Sequence, residues 1–129
     1  MGSLIGCAAA SASVKFIKEE GLVQRSAQLG EYFLKGLKDL QERHEIIGDL
    51  DGRGLFIGME FVKDRKTKEH AYEETLEIQH EARKRGLLFT RGGYGNRINI
   101  LPPLVIDKDQ IDEAIEILDE AIAEVERKV

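Results

Sequence analysis

The spacing of apolar residues along this chain switches between helical and strand periods, and each switch is marked by glycine, proline or a charged cluster. Leu4 to Glu20 is alanine-rich, carries Val14, Phe16 and Ile17, and predicts a helix. Gly2, Gly6 and the alanines give that helix a smooth face able to lie close against another backbone. Gly21 breaks it. From Leu22 to Arg43, Val23, Ala27, Tyr32 or Phe33, Gly36 or Leu37 and Leu40 recur at helical spacing. Polar Gln24, Arg25, Gln28, Glu31, Lys35, Asp39 and Glu42 fill the other face, as a helix packed on one side requires.

Beyond Arg43 the period shortens. Ile46 to Leu50 reads as a short strand, Asp51-Gly52-Arg53-Gly54 as a turn, and Leu55 to Val62 as a strand with Glu60 its one charge. Asp64 to Lys68 is a charged turn. Glu69 to Arg85 predicts a third helix with Tyr72, Leu76, Gln79 and Ala82 as its seam, and Gly86 ends it. Leu87 to Thr90 and Arg97 to Leu101 predict strands joined by the glycine-rich Arg91 to Asn96. Pro102 and Pro103 stop the second one. Asp107 with Gln110 three residues on is a capping-box start. In the helix that follows, Ile111, Ala114, Ile115, Leu118, Ala121, Ile122 and Val125 form one apolar stripe, with acidic residues early and Arg127 and Lys128 late.

These elements predict an α+β domain over residues 1–129, a small and largely antiparallel sheet covered by helices. A chain of 129 residues suits one such domain, and 42% hydrophobic with 33% charged residues excludes a disordered segment. A net charge of −5 leaves no basic footprint for nucleic acid, and the absence of Trp leaves little for base stacking. No apolar run is long enough to span a bilayer. The opening residues Met1 to Gly6 carry neither a basic leader nor a myristoylation signal. A single cysteine, Cys7, forms no internal disulfide, so a cytoplasmic location is expected. On its alanine-rich helix, Cys7 is expected to be buried and structural.

Few side chains offer chemistry by pattern alone. The glycine turns at Gly52-Arg53-Gly54 and Gly92 to Gly95 lead into strands rather than helices, so they read as tight turns and not as phosphate cradles. His44, His70 and His80 show no ligand spacing and are expected on the surface. Glu60 in its apolar strand calls for a salt bridge or a water-facing edge position. Arg91, Arg97 and Asn99 gather at the second hairpin, and strand alternation puts Arg97 and Asn99 on one face. A guanidinium beside an amide suits a carboxylate ligand. The same pair also suits an exposed strand face that keeps a sheet soluble.

Three segments resemble the C-terminal end of class III aminotransferases. Gly2, Cys7, Ala8, Ala9 and Ala10 match the motif Gly-Asn-Pro-Leu-x-Cys-Ala-Ala-Ala, with Ser3 and Leu4 in place of Asn-Pro. Gly52, Gly54, Leu55, Gly58 and Glu60 match Arg-Gly-x-Gly-Leu-Met-x-Gly-Ile-Glu, with Asp51 where arginine is usual. Gly95, Asn96, Ile98, Pro102, Pro103 and Leu104 match Gly-Asn-x-Ile-Arg-x-x-Pro-Pro-Leu. In that motif the arginine commonly binds the substrate α-carboxylate. Here it falls on Asn99, and Arg97 stands two residues earlier on the same face.

The resemblance, similar to the 4-aminobutyrate and ornithine type, implies the small domain of a fold-type I enzyme using pyridoxal phosphate. The cofactor and its Schiff-base lysine belong to a large domain absent from these residues, to which the first helix (about 4–20) connects. It implies amino transfer from an ω-amino acid such as 4-aminobutyrate to a keto acid, in a homodimer of the full enzyme. Arg97 and Asn99 contact the substrate carboxylate, and no catalytic or metal-binding residue falls in this chain. The chain alone is expected not to transaminate. Three other readings stand beside it: an aminomutase or racemase on the same scaffold, a free-standing small-molecule-binding domain, and a dimerisation domain. An exposed alanine face at Ala8, Ala9 and Ala12 favours a partner domain over a free-standing module.

Overall fold

The computed structural model describes residues 2–128; Met1, read above for a lipidation signal, lies outside them. Helix α1 (Leu4–Glu19) is capped by the Ser3 hydroxyl, which accepts from the Gly6 N–H at 3.2 Å. Helix α2 (Leu22–Arg43) has the bounds its periodicity predicts. Strand β1 (Ile47–Arg53) turns through Gly54 and Leu55 into β2 (Phe56–Asp64), and β3 (Glu69–His70) pairs with the end of β2. Helix α3 (Tyr72–Lys84), strands β4 (Thr90–Gly92) and β5 (Arg97–Ile100), and helix α4 (Lys108–Glu126) complete the chain.

The sheet runs β1-β2-β5-β4, antiparallel throughout, and helices cover one face, an α+β arrangement. Ile47, Ile57, Met59, Phe61, Ile98 and Ile100 line that face. They pack on Leu29, Phe33, Leu37 and Leu40 of α2, on Ile78 and Ala82 of α3, and on Ile111, Leu118, Ile122 and Val125 of α4. Burying a large aliphatic or aromatic side chain contributes about 1.5–3 kcal/mol, so this interface carries the fold.

Beyond shifts of one or two residues at element ends, three segments differ from the sequence expectation. Asp51 to Arg53 are strand, not turn, because Gly54 alone supplies the positive φ (+57°) that a two-residue hairpin needs. Glu69 and His70 pair with β2 instead of opening α3, which starts at Tyr72. The strand expected over Leu87 to Thr90 falls instead at Thr90–Gly92, since Leu87 to Phe89 have no strand partner while Arg91 and Gly92 pair with β5. The seam of α3 is also rotated: Thr75, Ile78, Glu81 and Ala82 are buried while Tyr72 and Leu76 are exposed. Glu81 is accepted there because Lys84 and Arg85 each donate to it at 2.8 Å.

His44, expected on the surface, is buried at the end of α2. Its two ring nitrogens lie 2.6 Å from Asp119 and 2.7 Å from Glu126, both on α4. Arg65 closes the C-terminus of α2 by donating to the carbonyls of Gln41, His44, Glu45 and Ile47. Cys7 is exposed rather than buried, and α1 as a whole buries no residue: Leu4, Ile5, Val14 and Phe16 are open to solvent along with Ala8, Ala9 and Ala12.

Candidate functional site

The face of the sheet away from the helices is bare, and it holds the residues that sequence singled out. Register places Asp49 opposite Glu60 and Glu60 opposite Arg97; the next row is Asp51, Gly58, Asn99 and Thr90. Alternation therefore sets Asp49, Asp51, Arg53, Phe56, Glu60, Arg97 and Asn99 on one side. Ile57, Met59, Ile98 and Ile100 point to the core.

Arg97 and Asn99 come together as spacing predicts; Arg91 does not join them. It pairs with Ile98, which gives it the opposite parity. Two glycines make room for the pair. A Cβ on Gly58 would lie 1.9 Å from Arg97 Nη2, and one on Gly92 would lie 2.4 Å from Asn99 Nδ2. The Arg97 side chain thus crosses β2 where β2 has no side chain and pairs with Asp51 on β1. A shallow hollow of about 420 Å³ forms there, bordered by Asp51, Arg53, Phe56, Gly58, Arg97 and Asn99.

Asn96 fixes the start of β5. It is buried, and its Nδ2 donates to Glu60 Oε1 at 3.0 Å and to the Phe61 carbonyl at 3.1 Å. Glu60 is therefore neither at an edge nor in a salt bridge; β2 is central, and the Asn96 amide satisfies the carboxylate. Beyond β5 the prolines lead into a loop held by Arg25 Nη2, which donates to the Ile106 carbonyl at 2.6 Å.

A larger hollow of about 600 Å³ lies between the Leu87 to Thr90 segment, the proline loop and α4. Its lining is mostly apolar (Phe33, Leu88, Leu101, Val105, Ile117), and Asn99 and Thr90 at its rim are the point where it meets the bare face. Size favours this hollow, but charge and hydrogen-bonding groups converge on the smaller one, which is where ligand chemistry is supported.

Sequence reading missed Asp51, Gly58, Gly92 and Asn96 as parts of the site. Asp51 and Gly58 were legible only as motif positions, because their role depends on a cross-strand register that spacing within one strand does not reveal. Neither glycine turn precedes a helix, so no phosphate cradle of that kind forms at them. Every lysine in the chain is exposed, and none borders the bare-face hollow. These residues alone do not fit a cofactor that must be held covalently by a pocketed lysine.

The model of the family described as aminotransferase class-III matches residues 1–122. Among curated proteins, the chain is 41% identical over 128 residues to the leucine/methionine racemase of Thermococcus litoralis, covering 98% of this chain and 28% of that protein. It is 40% identical over 125 residues to the mitochondrial alanine–glyoxylate aminotransferase 2 homolog 2 of Arabidopsis thaliana, covering 96% of this chain and 26% of that protein. Among solved structures, the PLP-bound form of an amine transaminase from an uncultivated Pseudomonas species superposes with a TM-score of 0.85 at 32% identity. That match covers 92% of this chain and 27% of the other. The chain therefore spans less than a third of the length of the proteins it matches.

Proposed function

The chain belongs to the class-III aminotransferases, and from that premise we propose that it is the small domain of a pyridoxal-phosphate enzyme, closing over the substrate with the bare face of its sheet. The observation that carries this reading is the Arg97 guanidinium laid over Gly58 beside Asn99, on the one sheet face without helices. A planar guanidinium with a neighbouring amide holds a carboxylate by paired N–H donors. Arg97 binds and orients the substrate carboxylate, Asn99 donates its amide beside it, and Asn96 keeps the strand in register.

Pyridoxal phosphate is the cofactor of this family, and it supplies the electron sink for carbanion chemistry. Because the lysines here are exposed, the cofactor sits on a larger domain, and the uncovered α1 is the surface that docks on it. The open alanine face supports that reading over a free-standing module. The full enzyme works as a homodimer in the cytoplasm. No helix among the described residues is long and apolar enough to cross a membrane.

The reaction is transfer of an amino group from an amino acid to a keto acid. The motifs support an ω-amino donor such as 4-aminobutyrate; the likeness to an alanine–glyoxylate aminotransferase supports an α-amino donor. The likeness to a leucine/methionine racemase favours a second reading, racemisation on the same scaffold. Incubating the full polypeptide with ¹³C-labelled pyruvate and either ¹⁵N-alanine, 4-aminobutyrate or leucine tests all three. Nitrogen transfer to the keto acid establishes an aminotransferase. Loss of optical activity in leucine, with no keto-acid product, establishes a racemase. Neither reaction with any donor would refute the enzyme reading.

A further inference from the structure

The larger hollow offers no cation to a carboxylate, yet it opens beside the group that does. Asn99 lines both hollows, the small one with Arg97 and the large one with the proline loop and α4. Alternation carried one residue past β5 sets Leu101 on the side of Arg97 and Asn99, and Leu101 also lines the large hollow. Gly58, over which the guanidinium lies, pairs with Asn99 on the neighbouring strand, about 5 Å away. A carboxylate bound there keeps the rest of its ligand within a few bonds of the hollow's mouth. Leu88, Leu101 and Val105 in the lining are 76%, 60% and 58% exposed, three large aliphatic side chains open to water around one recess. A cluster of that kind marks a surface that something apolar covers. Glu113 is the one charged residue of the lining, and it is exposed on α4, where water screens it. A volume of about 600 Å³ is that of a small-molecule pocket.

We infer that the larger hollow is the subsite for an extended apolar group on the ligand whose carboxylate Arg97 binds. The substrate class is then amino or keto acids with long aliphatic or aromatic side chains, and Asn99 stands where the two subsites meet. This rests on the reading of Arg97 as the carboxylate-binding group and adds what the far end of the ligand meets.

The test uses propionate, butyrate, pentanoate and hexanoate, which lengthen by one methylene at a time and have no amino or keto group to react. Their affinities for the cofactor-loaded full polypeptide are measured by calorimetry in the wild type, the double variant L88N/L101N, and R97A. In the wild type each methylene should tighten binding about two- to fourfold, fourfold being the value for complete burial. Both leucines are exposed and outside the core, so the double variant should fold. Its gain should fall below about 1.5-fold per methylene. A wild-type gain that small, or a double variant that keeps the wild-type gain, would overturn the inference. So would tighter binding of 6-aminohexanoate than of hexanoate, which would give the hollow to a cation facing Glu113. If R97A still weakened every length equally, the reading of Arg97 would survive any of these results. If R97A left all affinities unchanged, that reading would fail and the inference with it.

Discussion

The Arg97 guanidinium rests where a side chain on Gly58 would begin, 1.9 Å from the position a β-carbon would take. The clashing atom is the far end of a flexible side chain, so Gly58→Ala should displace Arg97 without rebuilding the sheet. Stability is expected to change by no more than about 1 kcal/mol. Affinity for a carboxylate ligand should fall about tenfold as the guanidinium loses its place. Urea unfolding and ligand titration on the same variant separate the two effects. A large loss of stability with unchanged affinity would show that Gly58 serves packing and not the site.

Gly30 is the opposite case. A Cβ there would meet the Gly54 carbonyl carbon and oxygen at 2.2 Å, which is backbone against backbone. Helix α2 lies directly on the β1–β2 turn, and Ser26 accepts the Leu55 N–H at 3.2 Å in the same contact. Gly30→Ala must therefore push the helix from the turn, an overpacking that costs about 1–3 kcal/mol. Thermal unfolding would measure it. A variant as stable as wild type would mean that α2 is free to shift at this point.

Two carboxylates tie stability to pH. Hydrogen bonds from Lys84 and then Arg85 hold Glu81 at about 2, below its ordinary 4.5. Burial alone would raise Asp119, but hydrogen bonds from His44 and Arg43 outweigh it and hold Asp119 below its ordinary value. Both groups bind protons more readily unfolded than folded. Their contribution is thus complete above the unfolded value and lost as pH falls through the folded one. For Glu81 that window runs from 4.5 down to about 2. Glu81→Gln should lower stability at pH 6 and narrow its gap to wild type by pH 3. An equal gap at both values would remove Glu81 from the acid response.

How much of this was legible in sequence follows from the range of each interaction. The ends of α2 and the capping box of α4 depend on residues within one turn, and both were read correctly. The fate of Asp51, Glu69 and His70 depends on partners across the sheet, where a residue marking a turn by composition can pair instead. His44 looked exposed because its two carboxylate partners lie 75 and 82 residues away. Cys7 looked buried because its alanine-rich helix is of the kind that packs closely, yet α1 has no cover among the described residues. Strand alternation was enough to put Arg97 and Asn99 on one face. The gap at Gly58 and the pairing with Asp51 arise only once β1, β2 and β5 lie side by side.

The most direct measurement is the KM of the full polypeptide for its amino-acid substrate in wild type, Arg97→Ala and Arg97→Lys, with melting temperature recorded alongside. Loss of a charge-assisted carboxylate contact is worth roughly 1.5–3 kcal/mol, so Arg97→Ala should raise KM about tenfold to a hundredfold. Arg97→Lys keeps the charge without the fork and should fall between. Melting temperature should hardly move, since Arg97 is half-buried on the bare face and outside the core. A wild-type KM in Arg97→Ala would contradict the central claim and move the carboxylate contact off this face.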